Sequence, residues 1–166
     1  MSQRILIACV GNIFLGDDAF GVEVARVLAT REFPEGVQVV DFGIRAFDLA
    51  YALLDPWDVV ILVDAVPRGD VPGTLYTLEP DLDSIASGQA EDAPLDGHSM
   101  DPVKVVQSAK TMGAITARLL IVGCEPADCG GDEGRMGLTG PVQNAIAPAA
   151  DMVEELVEQI ATSKTI

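Results

Sequence analysis

Arg4-Ile5-Leu6-Ile7-Ala8-Cys9-Val10-Gly11-Asn12-Ile13-Phe14-Leu15-Gly16-Asp17-Asp18-Ala19-Phe20-Gly21 is the stretch that decides the fold. Its apolar run, Ile5 to Val10, has no polar face and stops at a glycine. That is the pattern of a strand buried on both sides, the kind that belongs to parallel sheets covered by helices. From Asp18 to Arg31 the apolar period changes: Phe20, Val24, Val27 and Leu28 recur at helical spacing, which predicts an amphipathic helix.

The same alternation continues outward. Val37 to Val40 predicts a second strand ending at Asp41, Val59 to Val63 a third ending at Asp64, and Ala117 to Val122 another ending at Gly123. Thr74 to Leu78, after the Pro72-Gly73 turn, reads as an edge strand. Ala46 to Leu54 is a short helix stopped before Pro56. Asp101 caps a helix that has Pro102 at its first position and Gly113 at its end. The last helix starts near Pro141 and runs to about Ile160, with Pro148 expected to bend it. Residues 79–97, with six acidic side chains, read as a surface loop. Strands alternating with helices predict an α/β fold, a three-layer sandwich with a mostly parallel, about five-stranded twisted sheet flanked by helices. One domain is expected over residues 1–166.

Composition removes several classes of function. Twenty-six acidic against 10 basic residues give a net charge of -16, which repels phosphate backbones and anionic lipid surfaces. Nucleic acid and membranes are therefore not expected as partners. Three cysteines, an odd number, fit a reducing cytosol better than a disulfide framework. No apolar run has the length of a membrane span, and Ile5 to Val10 lacks the cleavage site of a signal peptide.

In open α/β sheets ligands bind beyond the carboxyl ends of the strands. Three predicted strands place carboxylates there: Asp17 and Asp18 after the first, Asp41 after the second and Asp64 after the third. A dinucleotide would need glycines at a spacing this turn lacks, and the two aspartates would repel its pyrophosphate. One of Asp17 and Asp18 serves as a helix cap, which leaves the other for a cation. Asp41 and Asp64 each read equally as turn-formers or as free carboxylates. His98, the only histidine, closes the acidic loop. A neutral imidazole with two carboxylates suits a borderline divalent ion such as nickel or zinc, with coordination positions left for a substrate. No serine sits in a nucleophile-elbow pattern. Cys9 reads as core, and Cys124 and Cys129 as loop cysteines.

Gly11-Asn12, Gly16-Asp17-Asp18 and Gly21, then Val63-Asp64-Ala65, the solitary His98 and Val122-Gly123-Cys124-Glu125-Pro126 resemble the hydrogenase maturation proteases. Gly137-Leu138-Thr139-Gly140-Pro141-Val142 is similar to that family as well, so the likeness spans residues 4 to about 160. The resemblance implies a five-stranded α/β fold and removal of the C-terminal extension from the large-subunit precursor of a [NiFe] hydrogenase after nickel is loaded. It implies that Asp18, Asp64 and His98 contact that nickel, which arrives with the substrate, and that none is tightly held by the free protein. Asp17 is then left as the cap. Family members carry paired glycines after the second strand; here the stretch is Asp41-Phe42-Gly43-Ile44-Arg45, and the resemblance makes Asp41 and Gly43 substrate-binding residues. A nickel-binding or subunit-binding chaperone without protease activity would use the same ligands.

Overall fold

The computed structural model describes residues 2–86 and 101–163. Five strands, β1 (Ile5–Val10), β2 (Val37–Gly43), β3 (Val59–Ala65), β4 (Leu75–Leu78) and β5 (Arg118–Cys124), form one sheet in the order β2-β1-β3-β5-β4. The first four positions in that order pair in parallel, and β4 joins the edge antiparallel to β5. Helices α1 (Phe20–Leu28) and α4 (Gly140–Thr162) share one face, while α2 (Ala46–Ala52) and α3 (Pro102–Met112) share the other.

Every residue of β1 is buried, as its unbroken apolar run predicts. Ile5, Ile7 and Cys9 point into the layer under α1 and α4, and Leu6, Ala8 and Val10 into the layer under α2 and α3. Gly21 shows how tightly α1 sits over this sheet. A Cβ there would lie 2.1 Å from the Val10 carbonyl oxygen and 2.4 Å from that of Val63, so only glycine lets the helix pass between β1 and β3.

The predicted strands and helices form, three of the strands run further than the apolar pattern suggested, and the predicted surface loop at residues 79–97 lies outside the described residues beyond residue 86. β2 continues to Gly43, β3 to Ala65 and β5 to Cys124, because ladder pairing persists through Asp64↔Gly123 and Ala65↔Cys124. Asp41 and Asp64 therefore lie within their strands, close to the carboxyl ends. Cys124 is buried at the end of β5, so it is a core residue and not a loop cysteine. Helix α3 matches its predicted boundaries: Asp101 accepts a hydrogen bond from the Val103 amide at 3.0 Å, and Gly113 closes the helix. Helix α4 runs through Pro148 as one helix, its buried face of Val142, Ala145, Ile146, Ala149, Val153 and Val157 offsetting the lost backbone bond. Among the described residues no helix is long and apolar enough to cross a membrane.

Candidate active site

The chain leaves β1 to form β2 on one side, then crosses back to form β3 on the other. This reversal makes a switch point between β1 and β3, where the flanking connections diverge and leave a crevice beyond the carboxyl ends. Asp18 follows β1 and Asp64 is the next-to-last residue of β3, so the topology brings two of the predicted residues to that crevice.

Asp18 sits in a 3-10 turn, Gly16–Ala19, and is half-buried. Its Oδ2 accepts the Asn12 amide at 2.9 Å, and its own amide donates to the Leu15 carbonyl at 3.1 Å. Asn12 in turn accepts the Phe14 amide on Oδ1 at 2.9 Å, which closes the turn on itself. Burial raises the Asp18 pKa, and the Asn12 bond opposes the rise. Asp64 is 3% exposed. Burial holds its pKa well above the usual carboxylate range, the negative charges of Asp18 and Asp101 add to the effect, and a bond from the Ala65 amide works against it. The Asp18 charge thus reaches Asp64. Among the described residues no group of three or more His, Cys, Asp and Glu is arranged to hold a metal. His98 lies outside the described residues, so two carboxylates of the expected trio are placed here.

Asp41 and Gly43 occupy the same sheet edge, one strand beyond β1. Two strand spacings, about 10 Å, separate their strand from that of Asp64. The Asp41 Oδ1 accepts the Gly43 amide at 2.9 Å, and Gly43 turns the backbone at φ +54°. Its carbonyl accepts the Gly11 amide at 3.0 Å, which ties this corner to the first turn. Arg45 wraps the corner from outside, donating to the carbonyls of Asp41 at 2.6 Å and Phe42 at 3.2 Å.

Asp17 corrects an expectation. The residue preceding α1 is Ala19 and no side chain caps that helix, so Asp17 is not a helix cap. It is fully buried and turned toward the β5–α4 connection. Its Oδ2 accepts from the Ala127 amide (2.8 Å), the Asp128 amide (3.0 Å) and the Thr139 hydroxyl (2.8 Å), and its Oδ1 from the Thr139 amide (2.8 Å). Burial alone would raise its pKa, but these bonds outweigh it and hold the carboxyl below its ordinary value.

Glu125 is a second buried anchor, within a motif the sequence offered only by resemblance. It accepts the Arg68 and Gly69 amides, each at 2.7 Å, and the Tyr76 hydroxyl at 3.1 Å, fixing the connection that leaves β3. Of the thiols, Cys9 and Cys124 are buried and Cys129 is exposed. Burial and the charges of Asp17 and Glu125 push the Cys124 thiol up to about 12. Burial and the neighbouring charges of Asp18 and Asp17 also raise that of Cys129. None is an activated thiolate.

The hydrogenase maturation protease family model matches residues 22–156. A hydrogenase expression/formation protein of Rhodobacter capsulatus is 33% identical over 151 residues, covering 89% of this chain and 70% of that protein. The coenzyme F420 hydrogenase subunit delta of Methanothermobacter thermautotrophicus is 31% identical over 166 residues, 97% of each chain. Among solved structures, the hydrogenase maturating endopeptidase of Escherichia coli superimposes with a TM-score of 0.71 at 27% identity, covering 95% of this chain and 93% of that one. The fold, the carboxylate pair at its switch point and these likenesses converge: the chain belongs to the hydrogenase maturation protease family.

Proposed function

We propose that this protein removes the C-terminal extension of a [NiFe] hydrogenase large-subunit precursor, and that the precursor's nickel is the mark it reads. The observation that carries this reading is the Asp18–Asp64 pair, a half-buried and a buried carboxylate at the ligand-binding edge of the sheet, where burial first and the Asp18 charge second hold the Asp64 carboxyl above its ordinary range. Unpaired acid there is costly, and a dication brought by the substrate relieves the repulsion. Asp18 and Asp64 offer hard oxygen donors, and His98, three residues before Asp101 in the chain, offers a nitrogen. With such a set the protein tells a loaded precursor from an empty one. The nickel can then serve as a Lewis acid on the scissile carbonyl, with water as the attacking group. Asp41 and Gly43, beside the first turn, form the wall along which the extension lies.

The test is the mass of a purified precursor before and after incubation with this protein, with and without nickel. Loss of the extension only from the nickel-loaded form is expected. An intact precursor that stays bound to the protein would instead mean a chaperone.

The cysteines are not required. Cys129→Ser is expected to trim at close to the wild-type rate. Cys124→Ser should keep the chemistry while losing about 1–3 kcal/mol of stability, because a hydroxyl replaces a buried thiol. Trimming assays beside thermal melts check both, and a folded Cys124→Ser protein without activity would revive thiol catalysis.

A further inference from the structure

We propose that Asp17, acting with Thr139, is a positioning residue for the peptidase reaction: it staples the β5–α4 connection to the first turn and so fixes the direction of Asp18. This rests on the peptidase reading above, since Asp18 is the group being aimed.

Asp17 joins two segments more than a hundred residues apart, with all four of its side-chain bonds coming from Ala127, Asp128 and Thr139. The backbone reinforces the same seam. The Asp17 amide donates to the Asp128 carbonyl at 2.8 Å, the Gly16 amide to the Arg135 carbonyl at 2.8 Å, and the Arg135 amide to the Phe14 carbonyl at 2.9 Å. Leu15 and Arg135 form a bridge alongside. Asp18 follows directly, and among the described residues its side chain is tied by the Asn12 amide. Its aim is therefore set by how the backbone at position 17 is held.

The donor set explains why an aspartate is needed. Each of the three amides can only donate, so the group facing them must accept on both oxygens. An asparagine would turn an NH2 toward at least one N–H. Thr139 is the residue before α4, where a threonine hydroxyl ordinarily caps its own helix, yet here the helix has no side-chain cap and the hydroxyl is given to Asp17. The residue at which a 23-residue helix begins thus gives both its amide and its hydroxyl to the buried carboxylate, which no basic side chain among the described residues contacts. A turn that needed only closing would not bury a whole charge.

The experiment compares Thr139→Ala, Thr139→Ser and Asp17→Asn on nickel-loaded precursor, with melting curves and amide hydrogen exchange on the free proteins. Thr139→Ala is expected to lower kcat roughly tenfold or more with KM nearly unchanged, as one bond to a charged acceptor is lost. Thr139→Ser should restore most of it. Asp17→Asn should lose roughly a hundredfold or more, because a repelling contact is added. Exchange at the Asp18 amide should quicken in Thr139→Ala and recover in Thr139→Ser, and this reads whether or not the precursor is trimmed. Inactive wild-type protein would sink the peptidase reading alone. Thr139→Ala that melts earlier but keeps wild-type kcat, or leaves Asp18 exchange unchanged, would overturn the positioning role. If Asp17→Asn does not fold, the two Thr139 variants decide.

Discussion

Asp64→Asn is expected to abolish trimming and, in the same protein, to raise the melting temperature at neutral pH. Asp64 is 3% exposed, and burial with the charges of Asp18 and Asp101 holds its pKa well above the ordinary value. The folded protein therefore binds that proton more tightly than the unfolded chain does. The resulting stability is fully present below the ordinary carboxylate pKa of about 4 and is lost as pH rises from there through the raised folded value. Asparagine carries no such penalty, so the two proteins should melt alike in acid and diverge upward from pH about 4, the variant being the more stable. At this chain length each kcal/mol relieved is worth about 2–4 °C. Activity should fall roughly a thousandfold or more, since an amide gives no anionic oxygen to the substrate's cation. Melting curves across pH and single-turnover cleavage read the two effects separately. An Asp64→Asn protein that melts below wild type throughout would show that the buried carboxylate is not under strain. One that still trims would remove Asp64 from the site.

The sheet was legible because its signal is local and redundant. Val59 to Val63 and Ile5 to Val10 are apolar at every position, and only a doubly covered parallel strand asks for that. The helix bounds at Asp101, Pro102 and Gly113 were equally legible, since capping chemistry is written within a few residues. The carboxylates at the strand ends could be read because the topology sends every parallel strand end to one edge. Asp17 was misread for the opposite reason. Its partners lie at 127, 128 and 139, and an aspartate just before a helix carries no local mark separating a cap from a long-range staple. The one available hint was Thr139 before Gly140-Pro141, a threonine at a helix start whose hydroxyl turned out to be engaged elsewhere. Cys124 was misplaced because the ladder outlasts the apolar run: Gly123 looked like a terminator, yet it pairs with both Asp64 and Tyr76. Glu125 could not be told from a surface acid, as its donors come from a loop more than fifty residues earlier and from β4.

Asp18→Ala and His98→Ala, made singly and together, should fall to one common floor of activity. In the proposed site each side chain gives one donor to the same substrate-borne cation. Losing either leaves the scissile bond misplaced, so the second loss has little left to remove. Independent roles would instead multiply, with the double variant slower by the product of the single effects. The stability readout separates the two residues from a folding role. Asp18→Ala removes a half-buried charge that raises the pKa of Asp64, so its cost in melting temperature should be small, the lost Asn12 bond being offset by relief at Asp64. Asp101→Ser is the matched control. It keeps an oxygen to cap α3, removes a charge that also reaches Asp64, and contributes no donor in the proposed set. Trimming should survive it. Cleavage of nickel-loaded precursor by the four proteins, each first shown to be folded, gives the answer. A folded His98→Ala variant that trims at the wild-type rate would break the trio, leaving Asp18 and Asp64 as a carboxylate pair that works without a histidine.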